Sequence, residues 1–248
     1  MKHSNKIIIS PDVDGLVSAE LLFRNNSDVV IVGTYDKNIL TLADGVEPEE
    51  CLFVDCDMNT PEFVSIGNHM RLEVDNRAGN SFNPNSYYKV KQYNKKFPYA
   101  TCYLIASTIE IQTTNNDHLR MAYADSTYKN AVDYEPNMRH WSTLMDHPSI
   151  PQLFNGEITE ETIKPVKQSF NGVQGFVSRR LGRENYLNCM NDFLAKQGVA
   201  SLPLAKIKKY EKGLVDVNTL KRYMNDIISY AEIYGGEFSV TYKDEREW

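Results

Sequence analysis

Asp12 and Asp14 open the chemical reading of this chain. The stretch Ile7 to Ala19, I-I-I-S-P-D-V-D-G-L-V-S-A, sets two carboxylates one residue apart in a turn between an apolar run and a helical pattern. Carboxylates held that close repel one another unless a cation stands between them, so the chemistry they point to is the binding of a metal or of a metal-borne phosphate. The same residues also make an ordinary solvated turn with a helix N-cap, and a single D-x-D-G does not choose between the two. The ending recurs, however. Cys51 to Asp57, C-L-F-V-D-C-D, delivers Asp55 after a short apolar run, with Asp57 two residues on. Met70 to Asp75, M-R-L-E-V-D, ends in Asp75 and is followed by Asn76 and Arg77, and Leu119 to Asp125 runs helix-like into Asp125, which reads as buried. Where strands of one parallel sheet each end in an aspartate, the side chains converge at the carboxyl edge, where open α/β sheets bind ligands.

The elements that must position these residues follow from apolar patterning. Ile7 to Ile9 and Val29 to Val32 read as buried strands, as do 51–57 and 70–75, while Leu16, Ala19, Leu21 and Leu22 start an apolar helical face. Thr34 to Glu50 reads as a loop with one helical turn, 60–68 as a short helix and 99–113 as a longer one. Beyond residue 130 the spacing predicts helices over 137–147, 158–170, 173–197 and 216–234, with one late strand at Phe238 to Tyr242. The fold class expected is α/β: a parallel sheet flanked by helices over residues 1–130, followed by a mainly helical C-terminal region over 131–248.

A net charge of −6 argues against a protein that coats duplex nucleic acid with its whole surface. Two basic stretches stand out against it. Lys89, Lys91, Lys95 and Lys96 lie among Tyr87, Tyr88 and Tyr93, a pattern that suits a single strand, whose bases stack on rings while phosphates meet ammonium groups, and that equally suits a solvated loop. Lys164, Lys167, Arg179, Arg180, Arg183, Lys206, Lys208 and Lys209 either line a groove or decorate exposed faces. The four cysteines have no C-x-x-C spacing, and no apolar run approaches the roughly 18 residues of a membrane span, so reduced thiols, a cytoplasmic location and no membrane partner are expected. Of the histidines, His140 and His147 fall seven apart on the helix expected at 137–147, and His69 and His118 lie near the third and fourth aspartate endings.

Taken together these residues resemble the DHH phosphoesterase family, which includes RecJ-like exonucleases, small-oligonucleotide phosphodiesterases and a class of inorganic pyrophosphatases. The family's first motif is similar to Asp12-Val13-Asp14-Gly15, its second to Asp55 and its fourth to Asp125 in Y-A-D-S-T. The D-H-H that names the family falls on Asp75-Asn76-Arg77, with both histidines replaced. Ile8 stands where many members carry a further histidine, and Gly235-Gly236 lacks the histidine that follows in the family's usual companion domain. The resemblance covers roughly residues 5–130. It implies a DHH-like domain whose metal ligands are Asp12, Asp14, Asp55, Asp75 and Asp125. This all-oxygen set favours Mn²⁺ or Mg²⁺, as one ion or two, or as none in an inactive relative.

Two functions follow, and they differ in the part Arg77 plays. If Asn76 and Arg77 contact substrate phosphate, the chain is a divergent metal-dependent phosphoesterase acting on nucleotides or short single-stranded nucleic acid through a metal-bound water. If Arg77 instead neutralises Asp55 or Asp75, the chain is a catalytically inactive DHH-like module that binds nucleic acid or a protein partner. A third reading takes Asp12 as the nucleophile of a haloacid-dehalogenase-like phosphatase and Asp14 as its general acid, although Ser10 and Pro11 separate Asp12 from the strand.

Overall fold

A computed structural model gives the fold. It describes residues 5–36, 39–71, 80–170, 204–209, 211–234 and 236–242. In chain order the main elements are β1 (Lys6–Ile9), α1 (Val13–Asn25), β2 (Val30–Tyr35), β3 (Ile39–Ala43), β4 (Leu52–Val54), β5 (Val64–Ile66), α2 (Pro84–Tyr87), α3 (Thr101–Thr108), α4 (Asn115–Tyr123), α5 (Thr127–Asp133), α6 (Glu135–Ser142), α7 (Ser149–Gln152), α8 (Glu160–Ser169), β6 (Leu204–Lys209), β7 (Glu211–Asp216), α9 (Val217–Arg222), β8 (Ile227–Tyr234) and β9 (Glu237–Tyr242). The chain is α/β. It divides into two compact units, one comprising Met1–Ser10, Ile31–Phe97 and Pro203–Trp248, the other Pro11–Val30 and Pro98–Leu202.

The first unit is built on sheets. Six strands run in the order β5-β4-β1-β2-β3-β6, with β1 parallel to β4 and β4 parallel to β5, while β2–β3 and β3–β6 are antiparallel. Ile7, Ile8 and Ile9 are all buried, as a strand covered on both faces requires, which is why β1 reads as an unbroken apolar run. Phe53 of β4, fully buried, meets Tyr35 edge-on with ring centroids 6.1 Å apart and Phe63 at 5.2 Å. Removing such a side chain from water contributes about 1.5–3 kcal/mol. A three-stranded antiparallel sheet, β7-β9-β8, packs Tyr230, Phe238 and Val240 with Leu220 of α9.

Among the described residues the second unit is helical. Glu20 of α1 and Arg120 of α4 form a two-pronged buried ion pair, with both N–O distances at 2.6 Å, and the Arg120 guanidinium lies 5.2 Å from the centre of the Phe170 ring. Burial nevertheless holds the Glu20 carboxyl above its ordinary range. One turn along, Arg24 meets Asp117 at 2.8 Å, and Asp117 also closes the capping box with Thr114 that starts α4.

Several expected elements are corrected. The loop expected over Thr34 to Glu50 contains β3, which pairs with β2 through Gly33↔Leu42 and Tyr35↔Leu40. The short helix expected at 60–68 is instead β5, stabilised as a strand by its pairing with β4 and not by local propensity. Met70 and Arg71 have no regular structure, and the rest of the strand expected at 70–75 lies outside the described residues. The helix expected at 137–147 ends at Ser142, so His140 and His147 do not share a helical face. The helix expected at 216–234 is α-helical over Val217–Arg222, makes a 3₁₀ turn at Met224–Asp226 and then continues as β8. Residues 204–242, expected within a mainly helical region, thus carry four strands, whereas the helix expected at 173–197 lies outside the described residues.

Candidate functional site

Three of the aspartates singled out in the sequence share one electrostatic environment in the helical unit. Asp12 caps α1, its carboxylate accepting from the Gly15 N–H at 3.1 Å, as an aspartate two residues beyond a strand and just before a helix should. Asp14, in the first turn of α1, is 1% exposed. Its two oxygens accept the first backbone N–H groups of α3, Thr101 at 2.6 Å and Cys102 at 2.8 Å, so it caps a helix that enters the sequence far downstream. Ser18 Oγ lies 3.4 Å from Asp14 Oδ1.

Burial, then the neighbouring charges of Asp125 and Asp12, push the Asp14 carboxyl up to about 7, against the pull of those two backbone bonds. Asp125 follows α4 in a short 3₁₀ turn with φ 50° and ψ 23°, and Ser126 is left-handed as well at φ 54°. Two consecutive non-glycine residues in that region mark a locally strained turn. Asp125 was expected to be buried and is exposed, because the left-handed turn carries it out of the helix pattern from which that expectation came.

The sheet unit holds a second polar cluster, at the carboxyl ends of three adjacent strands. Ser10 follows β1, and its Oγ donates to Asp55 Oδ2 at 2.5 Å. Asp55, just past β4, is 5% exposed and takes φ 57°. Asp57, 2% exposed, accepts through Oδ2 from the His69 backbone N–H at 3.1 Å and from His69 Nδ1 at 2.8 Å, and through Oδ1 from the Asn83 amide at 2.5 Å. Burial alone would raise the Asp57 carboxyl. The His69 bond and charge, the Arg71 guanidinium and the Asn83 amide outweigh it and hold the carboxyl below its usual range. Since a carboxylate only accepts, Nδ1 of His69 carries the proton in this contact.

Gly67 is required here. A Cβ at that position would stand 2.5–2.7 Å from the Asp57 carboxylate. Gly67→Ala is therefore expected to destabilise the chain by about 1–3 kcal/mol, read as a shift of the urea midpoint.

Sequence reading missed Asp57, His69 and Asn83 as a unit. The available signals were Gly67-Asn68-His69 directly after the apolar V-S-I of β5, and Asn83-Pro84, which marks a helix start. Asn83 duly caps α2, accepting from Asn85 and Ser86. Asp75, Asn76 and Arg77 lie outside the described residues. The other described histidines are engaged internally or exposed. His118 bonds Thr113 at 2.6 Å and the Gln152 amide, buried His147 bonds Ser149 at 2.6 Å and the Ile111 carbonyl at 3.1 Å, and His140 is exposed. Lys164 and Lys167 on α8 line a cavity of about 320 Å³ together with Glu160 and Glu161, so that face is mixed in charge and not basic.

Among the described residues no three His, Cys, Asp or Glu side chains form a ligand group for a metal ion, and no helix is long and apolar enough to cross a membrane. Comparison with protein-family models, with curated proteins and with solved structures finds no match for this chain.

Proposed function

We propose that the chain is a divergent, DHH-like phosphoesterase acting on nucleotides or short single-stranded nucleic acid. The observation that carries this reading is the burial of the Asp14 carboxyl, 1% exposed, in the field of the Asp12 and Asp125 charges, which together raise it. A purely structural turn has no need for three carboxylates from two distant segments in one electrostatic field, whereas a divalent cation relieves it. The donor chemistry fits a hard ion: all three groups offer oxygen, and Mg²⁺ is typically held by only one or two carboxylates with water and substrate phosphate filling the remaining positions. Asp12 and Asp125 would hold it, and it would supply positive charge at the phosphoryl oxygens.

The test is hydrolysis of a panel of labelled short oligonucleotides, cyclic dinucleotides and nucleoside phosphates, with Mg²⁺ or Mn²⁺ present. Turnover by the wild type that falls at least about a hundredfold in Asp12→Asn supports the reading. Asparagine keeps the cap on α1, so the loss would report the missing charge and not a lost helix. No turnover of any member of the panel contradicts it.

A second reading, the catalytically inactive DHH-like binding module, is favoured by one specific observation. Both oxygens of Asp14 and both of Asp57 already accept hydrogen bonds from within the fold. Carboxylates used in this way can serve as struts that hold the fold of a catalytic relative while its chemistry is gone.

A further inference from the structure

The segment that follows the Asp57 cluster carries a charge pattern opposite to that of the chain as a whole. Between Asp75 and Glu110 there is no acidic residue, although the net charge of the chain is −6, and Lys89, Lys91, Lys95 and Lys96 fall within eight positions of that stretch. Tyr87 is 71% exposed and Tyr88 50%, so both rings are within reach of a ligand from solvent. The two rings meet edge to face with centroids 5.0 Å apart, which fixes their faces relative to one another. Lys89, Lys91 and Lys95 are exposed, and the Lys96 ammonium sits 4.4 Å from the centre of the Tyr93 ring while donating to its hydroxyl at 3.1 Å.

This surface is held in shape by a buried residue beneath it. Asn85, 2% exposed, donates from its amide to the Asn68 carbonyl at 2.7 Å and accepts from the Phe97 N–H at 2.6 Å. Its backbone carbonyl accepts from Val90 N–H at 2.8 Å. One side chain thereby closes the loop 86–96 at its base, and Lys89 takes a left-handed turn at φ 53° within it. Closing the loop in advance removes most of the ordering cost that binding would otherwise carry.

We propose that the loop 86–96 is a docking surface for single-stranded nucleic acid, with Tyr87 and Tyr88 as stacking platforms and Lys89, Lys91 and Lys95 as phosphate contacts. Exposed rings interleaved with ammonium groups match unpaired bases on a charged backbone. Duplex DNA hides the faces of its bases, and an acidic peptide has no flat faces to stack. The inference draws on the substrate class proposed above and adds the surface that recognises it, but it stands or falls by binding, not by turnover.

The experiment is fluorescence anisotropy of the full-length chain with a labelled dT₁₂ strand, at several salt concentrations and with EDTA present to prevent cleavage. A dT₁₂·dA₁₂ duplex and poly-glutamate serve as competitors. The single strand is expected to bind in preference to the duplex. Tyr87→Ala is expected to weaken it at least about fivefold, and Lys91→Ser with Lys95→Ser to reduce the slope of log affinity against log salt by about 1.4. All three sites are exposed, so far-ultraviolet circular dichroism should remain that of the wild type. Absence of single-strand binding at low salt, wild-type binding by the variants, or equal competition by duplex or poly-glutamate would each overturn the proposal. Hydrolysis of a mononucleotide by a chain that fails to bind dT₁₂ would leave the phosphoesterase reading standing alone. Binding without hydrolysis of any substrate would do the reverse.

Discussion

Replacing Asp14 by asparagine is expected to remove a fall in stability that the wild type shows between about pH 4 and pH 7. In the folded chain the carboxyl is displaced from 3.8 to about 7, chiefly by burial and then by the charges of Asp125 and Asp12. Across that interval the folded state holds a proton that the unfolded state has released, so stability declines as pH rises, by about 4 kcal/mol in all. The asparagine variant has no such proton. It has a cost of its own: its amide cannot accept from both Thr101 and Cys102, and one buried N–H left unpaired costs about 1–3 kcal/mol at every pH. The two stability curves should therefore cross, with the variant weaker at pH 4 and equal or stronger at pH 8. Urea unfolding at half-unit pH steps measures this, and parallel curves would show that Asp14 is already ionised at pH 4.

Asp57→Ala is expected to cost about 3–5 kcal/mol at neutral pH, because it removes the acceptor that serves His69 and Asn83 in a buried setting and leaves their donors unpaired. The pH dependence has the opposite sign to that of Asp14. The Asp57 carboxyl lies below its ordinary range, so its contribution is present above the unfolded value of 3.8 and is lost as pH falls through the lower folded value. The wild type should thus lose stability on acidification below about pH 4 at this group, and the alanine variant should not. A double-mutant cycle with His69→Ala isolates the pair. Additive losses at 57 and 69 would mean that the 2.8 Å contact contributes nothing of its own.

How much of this was legible in the sequence depended on how local each determinant is. The β1–α1 turn was readable because both its neighbours declare themselves: three consecutive isoleucines specify a strand buried on both faces, and Asp12 followed by Gly15 caps the helix to which it belongs. β5 was not readable, since V-S-I is only three residues long and becomes a strand through its pairing with β4. β8 reads as helix for a different reason: Ile227, Ile228, Ser229, Tyr230 and Ala231 are all buried, so the segment lacks the alternation that marks a strand with one wet face. Within the helical unit, the effect of Asp125 on Asp14 crosses more than a hundred positions of sequence and is not a local signal. The use of Asp14 to cap α3 could not be read, because its partners are 87 and 88 positions away. The Asp57–His69–Asn83 cluster was hidden in the same manner, being assembled across β5 and the start of α2.

We propose that a divalent cation neutralises the negative charge of Asp12, Asp14 and Asp125. Calorimetric titration of the 248-residue chain with Mn²⁺ at pH 8, repeated on Asp12→Asn and Asp125→Asn, is the direct test. A saturable heat in the wild type that weakens at least about tenfold in both variants is the predicted result. No heat in the wild type, or equal binding by all three proteins, would contradict it.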